Sequence, residues 1–197
     1  MAIELQNNWV PIPGLFALLG TNISNNDLLL LVNQFVEKSP SQINKDILEE
    51  LKPAIELLIK SSSIDSDVYF SEKSPWHNKT LGKWLIIHGL QKLGRVDKCI
   101  KLLTAIIDHG GTLLSEAILL RAKLRFKNME IQESYEDLQS LLINETNNTY
   151  WDRSQGVFKK LCLHASPQNV QVRCRIAILS TSTSDFLAIN LRLACFR

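Results

Sequence analysis

Apolar residues recur along this chain with two different periods. Between residues 27 and 165 they come three and four apart, the spacing of one face of an α-helix. From residue 170 they alternate with polar ones, the spacing of a half-buried strand. The helical section predicts a first helix over 27–37, entered through Asn25 and Asn26 as caps and ended at Ser39-Pro40. A second stripe follows at Ile43, Ile47, Leu48, Leu51, Ala54, Ile55 and Leu58. Pro53 is expected either to kink that helix or to begin a new one, because only the first turn accepts proline without loss. Residues 61–79 are rich in Ser, Asp, Asn and Pro and read as a connection, long for a compact domain. Val68, Tyr69, Phe70 and Trp76 within it are expected to pack partly onto the helices.

Residues 80–143 carry the clearest pattern. Helices are predicted over 80–93, 97–108, from Thr112 as a cap to 127, and from after Asn128 to 143. Gly94 and the His109-Gly110-Gly111 run stop the first two. Short turns between such helices give two consecutive αα-hairpins. The second lies over the first: Cys99 matches Ser134, Leu103 matches Leu138 and Ile106 matches Leu141, an offset of 35 residues. These positions resemble the small-large-small packing positions of tetratricopeptide repeats, whose period is about 34 residues. The resemblance implies that Cys99 and Ser134 are the small residues where each second helix crosses its first, with Gly94 at the turn. The family's Trp and Leu-Gly positions in the first helix are not filled here, nor is its closing proline.

One more helix is expected over 150–165, ended by Pro167. The alternating tail then predicts strands at 170–178 and 187–195 around a turn at 180–185, a β-hairpin. Residues 167–175 and 191–197 resemble the closing strands of formylglycine-generating (sulfatase-modifying) enzyme domains. Asn190-Leu191 replaces the Gly-Phe normal there, and the catalytic body has no room in the chain, so the resemblance implies no activity. The expected fold is therefore mainly α: an antiparallel helical-hairpin array, a tetratricopeptide-like solenoid, over 1–165, with a small β-hairpin tail over 166–197.

Charge sharpens that division. The formal net charge is +2 in 197 residues, 45% of them hydrophobic. Residues 1–158 hold 16 Lys and Arg against 19 Asp and Glu, whereas residues 159–197 hold 6 against 1. The tail is thus the basic part, and the acidic balance of the rest disfavours broad nucleic-acid binding. No run approaches the roughly 18 apolar residues of a membrane span. The first 20 residues lack a cationic n-region, so an intracellular, cytoplasmic location is expected. The sequons at Asn22, Asn78, Asn144 and Asn147 then carry no meaning. Four cysteines without C-x-x-C spacing read as free thiols.

Few residues of the chain carry a chemical signature. Cys162 and His164 form the only close Cys/His pair, and residues two apart diverge on a helix, so neither a metal site nor a thiol–imidazole pair is expected. No phosphate-binding glycine loop or G-x-S-x-G elbow is present. Gly110-Gly111 reads as a helix stop. The adjacent Glu136 and Asp137 diverge by about 100° and are expected on solvated faces. Arg121, Lys123, Arg125 and Lys127 form a basic run in which Arg121 shares a face with Arg125, and Lys123 with Lys127. Glu130, Glu133 and Glu136 are expected to neutralise it in part. Arg121 and Arg125, with Arg173, Arg175 and Arg192 on the tail, are the candidate contacts to a partner or anion.

These features point to a non-enzymatic protein–protein interaction scaffold or adaptor that takes a protein or peptide partner, with no cofactor. Two alternatives remain: a nucleic-acid or acidic-partner binding module using the arginines, and an enzyme assembled from scattered residues such as His88, His109 and the connection 61–79.

Overall fold

The computed structural model describes residues 24–40, 43, 45–62, 64–110, 113–145, 148–164 and 191. Its elements there are helices: α1 (Asn25–Lys38), α2 (Lys45–Lys60), the short α3 (Ser66–Tyr69), α4 (Thr80–Lys92), α5 (Val96–His109), α6 (Leu114–Lys127), α7 (Ile131–Asn144) and α8 (Asn148–His164). The mainly helical expectation therefore holds. The tail expected as a β-hairpin lies outside the described residues except for Leu191, whose backbone is helical rather than extended. Contacts divide the chain into two units, residues 1–102 with 109–113, and residues 103–108 with 114–197.

In the first unit α2 packs against α1 and α4. Ser24, not Asn25 or Asn26, caps α1, its hydroxyl accepting from the Asp27 amide at 3.3 Å. Helix α2 runs unbroken through Pro53. The proline removes one backbone bond, but it stands on the exposed side, where water can serve the carbonyl left over. Ile47, Leu48, Leu51, Ala54, Ile55 and Leu58 are buried on both sides of it. The five large side chains among them, at roughly 1.5–3 kcal/mol each, outweigh a proline cost of about 3 kcal/mol.

The connection 61–79 is anchored by two aromatic rings. Phe70 and Trp76 are buried and meet edge-on at 6.2 Å, whereas Val68 is exposed. The Trp76 indole donates to Asn33 Oδ1 on α1 at 2.7 Å, so its polar edge is satisfied. This chain segment approaches α4 at its two glycines. A methyl group at Gly82 would overlap the Trp76 carbonyl, and one at Gly89 would overlap the Phe70 ring.

In the second unit α6, α7 and α8 pack against one another. Ile118, Leu119, Tyr135, Leu138, Leu141, Leu142, Val157, Phe158 and Leu161 form its core.

The two hairpins agree in atomic detail at the 35-residue offset. Cys99 Sγ donates to Ile87 O at 3.6 Å, and Ser134 Oγ donates to Ala122 O at 2.7 Å. Cys99, Ser134, Leu103 and Leu138 are all fully buried. A small side chain at the first two positions lets the second helix approach the first and spend its one donor on that helix's carbonyl. The turns match as well. Arg95 N bonds Leu90 O, and Glu130 N bonds Arg125 O, both at 2.9 Å. The residue before each is left-handed: Gly94 at φ 70° and Met129 at φ 64°. This is the helix stop that favours glycine, and Met129 adopts it against its Cβ. Met129→Gly is accordingly expected to raise stability by roughly 1 kcal/mol, read as a higher urea midpoint at unchanged m-value.

Candidate functional site

Arg121 and Arg125 leave α6 on the side that faces α7, and α7 answers with Asp137. The Arg121 Nε donates to both Asp137 oxygens, at 3.1 and 3.0 Å, and its Nη2 donates to Oδ1 at 2.6 Å. Its Nη1 donates to Thr104 Oγ1 at 2.9 Å. Arg125 Nη1 lies 2.9 Å from the same Asp137 oxygen. Asp137 was expected on a solvated face, yet it is 3% exposed. Helical spacing places it one turn from Ser134 and Leu141, on the face packed against α6. The two arginines are thus held by a buried carboxylate of their own hairpin. Arg173, Arg175 and Arg192 lie outside the described residues.

The other face of the same basic run leads elsewhere. Lys123, Phe126 and Lys127 of α6, with Arg153, Gly156, Val157 and Lys160 of α8, line a cavity of about 510 Å³. No carboxylate is among these lining residues. Arg153 is tied in a two-pronged pair to Glu116, at 2.5 and 2.6 Å, and lies over the Tyr150 ring at 5.5 Å. Phe126 meets the His164 ring edge-on at 5.3 Å. Lys127 and Lys160 are exposed, and no ion pair holds either among the described residues. The Lys123–Lys127 spacing was visible in the sequence. Lys160 and Arg153 were not linked to it, because only tertiary packing brings α8 to α6.

Gly156 stands mid-helix in α8, and a Cβ there would meet nothing within 4 Å. Gly156→Ala is therefore expected to stabilise the chain by about 0.5–1 kcal/mol through helix propensity, seen as a higher urea midpoint.

Of the residues named for an assembled enzyme site, His88 and His109 differ in environment. His88 is buried in the first unit, with Nε2 3.3 Å from Glu56 Oε1 but out of hydrogen-bond alignment. Lys92 Nζ lies 2.7 Å from the same oxygen. Burial, then the Lys52 charge, push the His88 pKa below its ordinary 6.5, against the pull of Glu56. The Lys92 hydrogen bond holds Glu56 below its ordinary 4.5. His109 is exposed.

A histidine kept neutral by the fold binds fewer protons folded than unfolded, so stability falls with acidification once pH drops below about 6.5. Glu56 adds to the loss below about 4.5, as its folded charge is titrated away. The urea midpoint is expected to fall between pH 7.5 and 5.5, and His88→Asn should flatten that slope.

The Cys99 thiol is not poised for nucleophilic work. Burial pushes the Cys99 thiol up to about 12. Cys162 is exposed and accepts the Tyr135 hydroxyl at 3.9 Å, while burial raises that phenol's pKa. Among the described residues no group of three or more His, Cys, Asp or Glu side chains could hold a metal ion. Nor is any helix among them long and apolar enough to cross a membrane.

No protein-family model matches the chain, and no curated protein or solved structure is significantly similar to it.

Proposed function

We propose that this chain is a non-enzymatic protein–protein interaction scaffold or adaptor, built on tetratricopeptide-like hairpins. One observation carries the reading: two hairpins of one chain share their crossing residues, turn hydrogen bonds and left-handed stops at a constant offset. Repeated hairpins present extended surfaces of helix, and such surfaces serve recognition rather than turnover. That step is an analogy at the level of the fold. Asp137 and the two arginines of α6 are engaged with one another.

The reading is tested by the mass of the chain in gently lysed cells of its own source. It should elute in a complex well above its own 22.4 kDa and carry another protein in fixed stoichiometry. Elution as a lone monomer at near-physiological salt would count against it.

A second reading, an acidic-partner module, draws on the cations around the α6–α8 cavity rather than on Arg121 and Arg125. Retention of the complex at high salt would exclude it, because exposed charge pairs weaken once the Debye length falls to about 3 Å at 1 M salt.

A further inference from the structure

We propose that the cavity between α6 and α8 is a binding site for a small organic anion, one with at least two negative charges on an apolar or aromatic body. The chemistry of the lining fits this ligand class. Lys127 from one helix and Lys160 from the other stand on the same cavity, joined by Lys123 and Arg153. Glu116 offsets the Arg153 charge, and no carboxylate among the lining residues offsets Lys127 or Lys160.

Packing that gathers like charges around one space costs free energy when the space holds only water. An anion with more than one charge reverses the sign of that term. Lysine ammonium groups are compact point charges on long stems, suited to phosphate or clustered carboxylate oxygens. The floor is different in kind. Phe126 and Val157 offer apolar surface, and Gly156 leaves the α8 side open where a side chain would otherwise stand. A body of low polarity can rest there while its charged head meets the lysines.

Size agrees with a small ligand, since pockets for such molecules run to roughly 300–1,000 Å³ and this one is about 510 Å³. A nucleic acid would instead need a stripe of cations along an extended track. The site stands apart from the interaction-scaffold reading, which survives if the site proves empty.

The test is isothermal titration of the full chain at low salt with three probes: adenosine diphosphate, a naphthalene tricarboxylate, and inorganic pyrophosphate. Uncharged adenosine and naphthalene serve as controls. At least one charged aromatic should bind more tightly than both its uncharged body and pyrophosphate, and which of the two does so identifies the head group. Lys127→Glu with Lys160→Glu should weaken that binding by roughly tenfold or more. Gly156→Leu, which fills the floor without touching a charge, should also weaken it while the melting temperature stays at or above that of the parent chain. The proposal is overturned if neither charged aromatic binds, or if both sets of variants bind as the parent does. It is also overturned if a glutamate-rich dodecapeptide or a twelve-nucleotide RNA displaces the bound anion and binds the parent more tightly.

Discussion

Asp137→Ala is expected to cost about 3–5 kcal/mol of stability, because it strips the shared anion from two guanidinium groups that are already out of water. The Arg121 and Arg125 side chains are 13% and 19% exposed, so neither can regain full hydration without moving away from α7. The loss should appear in urea unfolding as a lower midpoint, with the second unit affected first. A control separates burial of charge from loss of packing. Adding Arg121→Met and Arg125→Leu to Asp137→Ala should recover much of the stability, because replacing a whole buried ion group by apolar side chains is often near neutral. If Asp137→Ala cost less than about 1 kcal/mol, the carboxylate would not be the centre of that hairpin. The arginines would then again be free to serve a partner.

Gly82→Ala should be the other severe substitution, at about 3 kcal/mol or more. Overpacking a core commonly costs about 1–3 kcal/mol when a side chain can yield. Here the obstacle is the Trp76 backbone, which cannot rotate away. Relief requires the whole connection to lift from α4. That would pull the Trp76 indole from Asn33 and open the Phe70 site. The variant is expected to quench less of its tryptophan emission and to lose amide protection around residues 70–79. A native-like spectrum with an unchanged midpoint would show that the connection is not held as described.

Much of the helical layout was legible because each helix buries one continuous stripe. Leu48, Leu51, Ile55 and Leu58 recur at the helical period, and that period survives Pro53 in the structure as it does in the sequence. The match between the two hairpins was legible at three positions, and the hydrogen bonds that accompany it were not. The corresponding bonds from Cys99 and Ser134 run to carbonyls twelve residues earlier, on the backbone of the partner helix. Sequence alone names the small residue but not the atom it meets. Met129 hid its left-handed turn for a related reason: nothing in a methionine signals positive φ, and only its place opposite Gly94 does.

The charged sites were the least legible. Adjacent Glu136 and Asp137 differ completely in environment, because a helix turns about 100° between them and only one faces α6. The arginine candidates were read as surface charge since their counter-ion came from a residue expected in solvent. The cavity cations come from two helices and meet only through packing. The tail, with Arg173, Arg175 and Arg192, lies outside the described residues apart from Leu191, so the expected β-hairpin rests on its alternation alone.

The interaction reading is tested most directly by cross-linking mass spectrometry on the chain isolated with its partner from its own cells. The account predicts partner cross-links concentrated on α4 to α8, at lysines such as Lys83, Lys101, Lys127 and Lys160. Cross-links confined to residues outside 80–164, or a chain that carries no partner at all, would contradict it.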